Sequence, residues 1–325
     1  MVLLQDFLFK GSLSCQDKLK ASIMRHKSRL HSEFVRAKLK LGLPKEGAGT
    51  SRTKKYIRLN GLKGTPESII ARLQELGFRK VEAMKDYEVD EKVYMQDQHF
   101  SGLIVVPSGL DLSKNPLYLD GSLIIQDKAS CIPAYILAPP EGSTVVDTCS
   151  APGNKTSHLA ALVGPRGKVF AFERDQKRFE TLNNMLGKAH CSHVTAIYGD
   201  FLKVDPFDPK FKAVEYCLVD PSCSGSGIIK DHETASQDMS TERLKSLSNF
   251  QKMIVRHAMK LPNLKRLVYS TCSIHEEENE MVVAEVLERQ PDWELVEKPL
   301  PSWPRRGIES YSFAESLIRA DPKED

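Results

Sequence analysis

No run of about 18 uncharged apolar residues occurs in this 325-residue sequence, so a membrane-spanning helix is not expected. The opening Met1-Val2-Leu3-Leu4-Gln5-Asp6 lacks a basic segment and an apolar core, so a signal peptide is not expected either. No C-x-x-C pair occurs among the seven cysteines (15, 131, 149, 191, 217, 223 and 272), which argues against a zinc site. An odd count in so long a chain argues against a disulfide framework and for free thiols in a reducing compartment. G-x-G-x-x-G is missing, which excludes the dinucleotide fingerprint. Internal repeats and low-complexity tracts are also absent. What is present is a 41% apolar composition, enough for a sizeable core, and a length that suits about two domains.

Acidic residues are scarce at one end. Residues 1–60 hold 14 Lys+Arg against 4 Asp+Glu, whereas the remainder holds 32 against 39, so a net charge of +3 divides into +10 and −7. A basic leading region on an acidic body fits a polyanion such as nucleic acid. A solvated helix face would leave the same signature.

Between Asp17 and Leu41, apolar Leu19, Ile23, Leu30, Phe34, Val35, Leu39 and Leu41 recur at three- and four-residue spacing, which predicts a basic amphipathic helical region ended by Gly42-Leu43-Pro44. Residues 45–53 read as a linker, giving a first region over 1–52. Over 53–125 a small α+β module is expected. It has a strand at 56–60, a helix capped by Thr65 with Pro66 at its first position and stopped by Gly77, and strands near 92–95 and 102–106. Residues 111–124 read as loop. A helix from Asp127 to about Leu137 opens the last region, 126–325. From Ser143 onward strands (144–148, 168–172, 194–198, 215–220, 266–271) alternate with helices (154–163, 175–188, 240–260). That alternation predicts an α/β fold with a mostly parallel, doubly wound, Rossmann-like sheet.

Three strand-to-loop segments carry polar chemistry. The first is Asp147-Thr148-Cys149-Ser150-Ala151-Pro152-Gly153-Asn154-Lys155-Thr156, where a glycine turn opens a helix whose free N–H groups suit a polar ligand. The second strand ends at Glu173, placed to accept hydrogen bonds from ribose hydroxyls, and the third at Asp200, which could meet an adenine amino group or cap the next element. The fourth runs into Asp220-Pro221-Ser222-Cys223-Ser224-Gly225-Ser226-Gly227, and the fifth into Ser270-Thr271-Cys272-Ser273, followed by Glu278-Asn279-Glu280. In an open parallel sheet these loops gather at the carboxyl ends of the strands. Two thiols in one cleft suggest covalent chemistry with two sulfur roles. A packed cysteine and a tight structural turn are the plainer readings of the same residues.

Together these segments resemble the Nop2/Sun (NSUN) family of RNA cytosine-5 methyltransferases, over roughly residues 53–310. Asn154, Pro221-Ser222-Cys223 and the basic amino-terminal region are most similar to the members that methylate large-subunit ribosomal RNA. The resemblance implies a class I methyltransferase domain using S-adenosylmethionine, an RNA partner (ribosomal RNA or pre-ribosomal particles) and nuclear, nucleolar residence. It implies Cys272 as the nucleophile on cytosine C6, Cys223 as the releasing thiol, Asp220 at the cytosine ring nitrogen and Lys155 as electrostatic support. For the cofactor it implies the loop Cys149, Ser150, Ala151, Pro152, Gly153, Asn154 and Lys155, with Glu173 on the ribose, Arg178 nearby, Asp200 near the adenine, and Asp220. No metal is implied. Two departures stand out: Asn154 occupies a position where many members have glycine, and the usual final glycine-phenylalanine-rich strand is missing, so an open sheet edge is expected. A transfer-RNA methyltransferase and a non-catalytic, RNA-binding ribosome assembly factor keeping this fold are the competing readings. Cys15, Cys131, Cys191 and Cys217 read as inert thiols, Trp293 and Trp303 as packing residues, and Arg305 and Arg306 as either RNA contacts or part of a turn.

Overall fold

The computed structural model describes residues 54–84, 91–228 and 240–321, together with residues 26, 30 and 33. The expected basic helical region and linker therefore lie outside the described residues, apart from one Leu30 N–H to His26 carbonyl bond. Cys15 lies outside them as well.

Residues from Lys54 to Ile125 build a five-stranded sheet in the order β2-β3-β4-β1-β5. Its strands are β1 (Lys54–Leu59), β2 (Arg79–Lys80), β3 (Val93–Gln96), β4 (Leu103–Pro107) and β5 (Leu123–Ile125). Helix α1 (Pro66–Glu75) begins as the sequence predicts, with Thr65 accepting from the Ser68 N–H and Pro66 in the first turn. Ile69 and Leu73 of α1 pack with Ile57, Leu59, Ile104 and Val106 of the sheet. The loop expected over 111–124 is corrected. It holds a short helix, α2 (Pro116–Leu119), capped by Asn115, and β5, which pairs antiparallel with β1. Elements of four and three residues are too short to show a period, and β5 exists because β1 offers it a hydrogen-bonding edge.

Helix α3 (Lys128–Leu137) leads into a second sheet. Asp127 stands at the N-cap position of α3, but its side chain does not cap it. The second sheet runs β10-β9-β6-β7-β8, every pair parallel. These are β6 (Thr144–Asp147), β7 (Lys168–Glu173), β8 (Val194–Tyr198), β9 (Val214–Val219) and β10 (Arg266–Tyr269). Helices α4 (Asn154–Val163), α5 (Gln176–Lys188), α6 (Thr241–Ala258) and α7 (Glu280–Glu288) cover it. The two-residue period of strands sorts the faces. Val145, Val169, Ala171 and Leu218 pack with Leu159 and Val163 of α4 and Leu182 and Leu186 of α5. Val146, Phe170, Phe172, Cys217 and Val219 pack with Ile254 and Val255 of α6 and Val282 and Val286 of α7. This is the doubly wound arrangement expected. Within the described sheet β8 and β10 are the outer strands.

The chain passes from β6 to β7 to β8 in one direction and then returns to place β9 on the other side of β6. The reversal falls between β6 and β9, and a crevice at such a switch point, outside the carboxyl strand ends, is where this architecture binds ligands. Asp147 and Asp220 end those two strands.

Candidate active site

The loop after β6 is tied down by its own polar groups. Asp147 is fully buried and accepts from Thr156 Oγ1 at 2.8 Å and from the Cys149 N–H at 3.3 Å. Burial pushes its carboxyl up to about 6, because the charged form loses water. Ser150 donates its hydroxyl to the Asp147 carbonyl and its N–H to Phe172. Gly153 takes φ +111°, a left-handed value that side chains resist, and turns the chain into α4. Asn154 is the first residue of α4 and is not among the positive-φ residues; the left-handed angle at this turn belongs to Gly153. No side chain caps this helix, which leaves its first N–H groups for a ligand.

Around the loop, Glu173 is buried at the end of β7, accepting from the Asp175 N–H with one oxygen. Arg178 donates to the Ala151 carbonyl at 2.7 Å and stands 3.7 Å from the other Glu173 oxygen. Arg178 thus braces the loop against Glu173. Asp200 caps the turn at Phe201–Lys203 by accepting from the Leu202 N–H with one oxygen. Cys149 is inert as a nucleophile: burial, then the nearby Asp147, push its thiol up to about 12.

The second cluster joins β9, β10 and α4. Lys155 Nζ sits 2.8 Å from Asp220 Oδ2, and Ser270 Oγ donates to Asp220 Oδ1. Burial works to lower the Lys155 ammonium, but the Asp220 carboxylate outweighs it and raises the group, so the lysine stays charged. Cys223 and Cys272 place their Sγ atoms 3.1 Å apart, and the Cys272 N–H donates to Cys223 Sγ at 3.4 Å. The contact with Cys223 lowers the Cys272 thiol to about 7 against the opposing effects of burial and Asp220, with Lys155 assisting. The same contact raises Cys223. Cys272 is thereby the more acidic sulfur of the pair. The remaining thiols Cys131, Cys191 and Cys217 are buried and raised by burial, as inert cysteines should be.

The two cysteine loops are stitched together. Gly227 N–H donates to the Cys272 carbonyl at 2.9 Å, and a Cβ on Gly227 would stand 3.0 Å from that oxygen, so the loop needs glycine to come so close. Ser224 and Ser226 bond Ser273, and the Ile274 N–H donates to Ser226 Oγ.

Family models match the chain in three consecutive segments. One described as 16S rRNA methyltransferase RsmB/F covers residues 134–318. The ferredoxin-like domain of NOL1/NOP2/Sun domain family member 5 covers 53–126, and the N-terminal domain of the same member covers 1–47. The 25S rRNA (cytosine-C(5))-methyltransferase of Schizosaccharomyces pombe is 41% identical over 99% of this chain and 73% of its own length. The chain belongs to the Nop2/Sun family of RNA cytosine-5 methyltransferases. Its mouse relative, named a 28S rRNA (cytosine-C(5))-methyltransferase, is 38% identical over 97% of this chain and 71% of the mouse protein. The same fold recurs in a methyltransferase homologue from Pyrococcus horikoshii, with a TM-score of 0.66, 23% identity and coverage of 86% of this chain and 87% of the archaeal one.

Several residues that build this Nop2/Sun site were not singled out from the sequence. Ser270 anchors Asp220. Asn279 holds the strand end by accepting from Thr271 Oγ1 at 2.7 Å and donating to the Ser273 and His275 carbonyls. Arg58 of β1, 1% exposed, reaches Ser157 Oγ at 2.7 Å and the Asn154 carbonyl at 3.4 Å, tying the first sheet to the cofactor-loop helix. Ser270 and Asn279 lie close to Cys272 in sequence, which gave some signal for them. Arg58, about a hundred residues from its partners, gave none. Arg306, read as an RNA contact or a turn residue, is committed to the Pro299 and Leu300 carbonyls, which makes it part of a turn. Trp303 packs in a core cluster with its indole N–H on the Arg319 carbonyl.

Proposed function

We propose that this protein transfers a methyl group from S-adenosylmethionine to C5 of a cytosine in large-subunit ribosomal RNA. The observation that carries this reading is the 3.1 Å Cys223–Cys272 thiol pair beside Lys155 and Asp220. Relatives named for 25S and 28S rRNA over nearly the whole chain support the substrate class.

The residues present fit the cofactor. The uncapped start of α4 suits the methionine carboxylate, and Glu173 keeps an acceptor oxygen for ribose hydroxyls. When bound, S-adenosylmethionine supplies an electrophilic methyl group.

Cytosine C5 is a weak nucleophile. Cys272, as thiolate, adds to C6, and the displaced ring electrons make C5 nucleophilic while N3 takes up a proton from solvent and, so protonated, donates to the Asp220 carboxylate. Lys155 keeps Asp220 oriented and offsets its charge beside the thiolate. Addition also changes Cys223. Its thiol is held protonated chiefly by its contact with Cys272; once Cys272 is bonded to carbon, that restraint ends, Cys223 gives its proton to solvent, and the resulting thiolate can take the C5 proton. Loss of that proton restores the C5–C6 double bond and expels Cys272. The target base is unstacked to enter the crevice, as base-modifying enzymes require. The first sheet, with the basic amino-terminal region, holds the phosphate backbone. Residence in the nucleus and nucleolus is part of the same proposal, since large-subunit rRNA is the proposed substrate.

The test is a gel assay for a denaturation-resistant protein–RNA adduct, with S-adenosylmethionine and ribosomal RNA. Cys223→Ala is expected to accumulate adduct and Cys223→Ala/Cys272→Ala none. No adduct in either variant, with RNA still bound, would turn the reading toward a non-catalytic assembly factor. Adduct with transfer RNA instead would reassign the substrate.

A further inference from the structure

Glu278 is a carboxylate with 0% exposure, and among the described residues no lysine or arginine forms an ion pair with it. Burying such a group is costly unless hydrogen bonds compensate. Its two oxygens accept from the Ser224 N–H at 3.0 and 3.2 Å, and Gln251 Nε2 donates to one of them at 2.9 Å. Gln251 Nε2 also reaches the Ser222 carbonyl at 3.1 Å, so the backbone on both sides of Cys223 is held. Tyr269, at the end of β10, donates its hydroxyl to the Glu278 carbonyl at 2.6 Å and so ties the same residue to the strand that presents Cys272. Burial pushes the Glu278 carboxyl up, but bonds from Ser224, Ser273 and Gln251 more than offset it and hold it below the usual range, ionised. For packing alone, an apolar residue would serve here without that desolvation cost.

We propose that Glu278 is the positioning residue of the thiol pair: its carboxylate holds the Ser224 backbone, and with it Cys223, at the separation from Cys272 that lets one thiol share its proton with the other. The proposal rests on the reading of Cys223 and Cys272 as a working pair. Glu278 touches neither sulfur and acts through the backbone. The serine contacts and the Gly227–Cys272 bond keep the two loops joined without it. Loss of Glu278 therefore loosens Cys223 while the loops stay paired.

The experiment follows alkylation of Cys272 by iodoacetamide against pH in the full chain, quantified on its peptide by mass spectrometry. The unmodified protein is expected to show a midpoint of about 7. Glu278→Ala is expected to move the midpoint up by about one unit toward an ordinary thiol. Glu278→Gln, which keeps an acceptor for the Ser224 N–H, should fall between. An unchanged midpoint in folded Glu278→Ala, with its circular dichroism and melting recorded, overturns the proposal. If Glu278→Ala does not fold, Glu278→Gln decides: an upward shift supports it and no shift overturns it. Alkylation needs neither RNA nor methyl donor, so this result stands apart from the adduct assay. In that assay Glu278→Ala should retain more adduct than the unmodified protein, because release through Cys223 is impaired.

Discussion

Lys155 Nζ stands 2.8 Å from Asp220 Oδ2, an ion pair between the first turn of α4 and the end of β9 that lies at the reversal of the sheet. It joins the loop after β6 to the end of β9, so electrostatic changes at one are felt at the other. Lys155 lowers the Cys272 thiol and Asp220 raises it.

Lys155→Met leaves Asp220 without its cation beside Cys272. The Cys272 thiol should rise above about 7, and methyl transfer at neutral pH should fall by about 100-fold, the lower range for loss of acid–base support. In the unmodified enzyme the rate should climb with pH through about 7, because the deprotonated sulfur is the attacking species. A tritium-transfer assay across pH 5.5–9 checks both.

Gly153→Ala places a Cβ where φ is +111° and where Met185 Cγ and Leu182 Cδ1 stand 3.1 and 3.2 Å away. Backbone strain of about 1–3 kcal/mol is expected, with a lower melting temperature and weaker S-adenosylmethionine binding. Calorimetric melting and titration calorimetry measure the two effects.

Glu280, nearly fully buried, pairs with Arg319 at 2.6 and 2.8 Å and accepts from the Ile308 N–H. Burial pushes its carboxyl up, yet the bonds from Arg319 prevail and hold it below its ordinary value. A depressed carboxyl contributes stability that is present above the unfolded pKa and disappears as pH falls through the folded one. Glu280→Gln should therefore cost about 3 kcal/mol at neutral pH, and the difference from the unmodified protein should shrink in acid below about pH 4. Urea unfolding at pH 7 and pH 3.5 tests the sign.

Arg58→Met removes the donors to Gln126 Oε1, Ser157 Oγ and the Asn154 carbonyl. Leaving those acceptors buried should cost about 1–3 kcal/mol. Because Asn154 begins the helix that faces the cofactor, its binding should weaken together with the melting temperature. A melting change without any change in binding would confine Arg58 to holding the first sheet in place.

The fold class was legible in the sequence because long strands and helices repeat with their own periods. Val145 and Val146, or Phe170 and Ala171, face opposite ways in the order the alternation predicts. Short elements were not legible: α2 and β5 depend on Asn115 as a cap and on β1 as a neighbour, and the latter lies more than sixty residues away.

The same division runs through the site. The sequence by itself determined which chemistry is available: two cysteines, two strand-end aspartates, one lysine and a glycine turn at three strand ends. Those choices are local, since a glycine, a proline or a strand-terminal acid carries its conformational meaning in its own residue and near neighbours. Only the tertiary structure decided how the thiols differ in acidity. Cys149, Cys217 and Cys272 all sit in or after strands, and their thiols differ because desolvation raises the first two, whereas Cys223 from the loop after β9 and Lys155 from the first turn of α4 approach the third. Charge stabilisation falls steeply with distance and rises as water is excluded, and both quantities are set by folding.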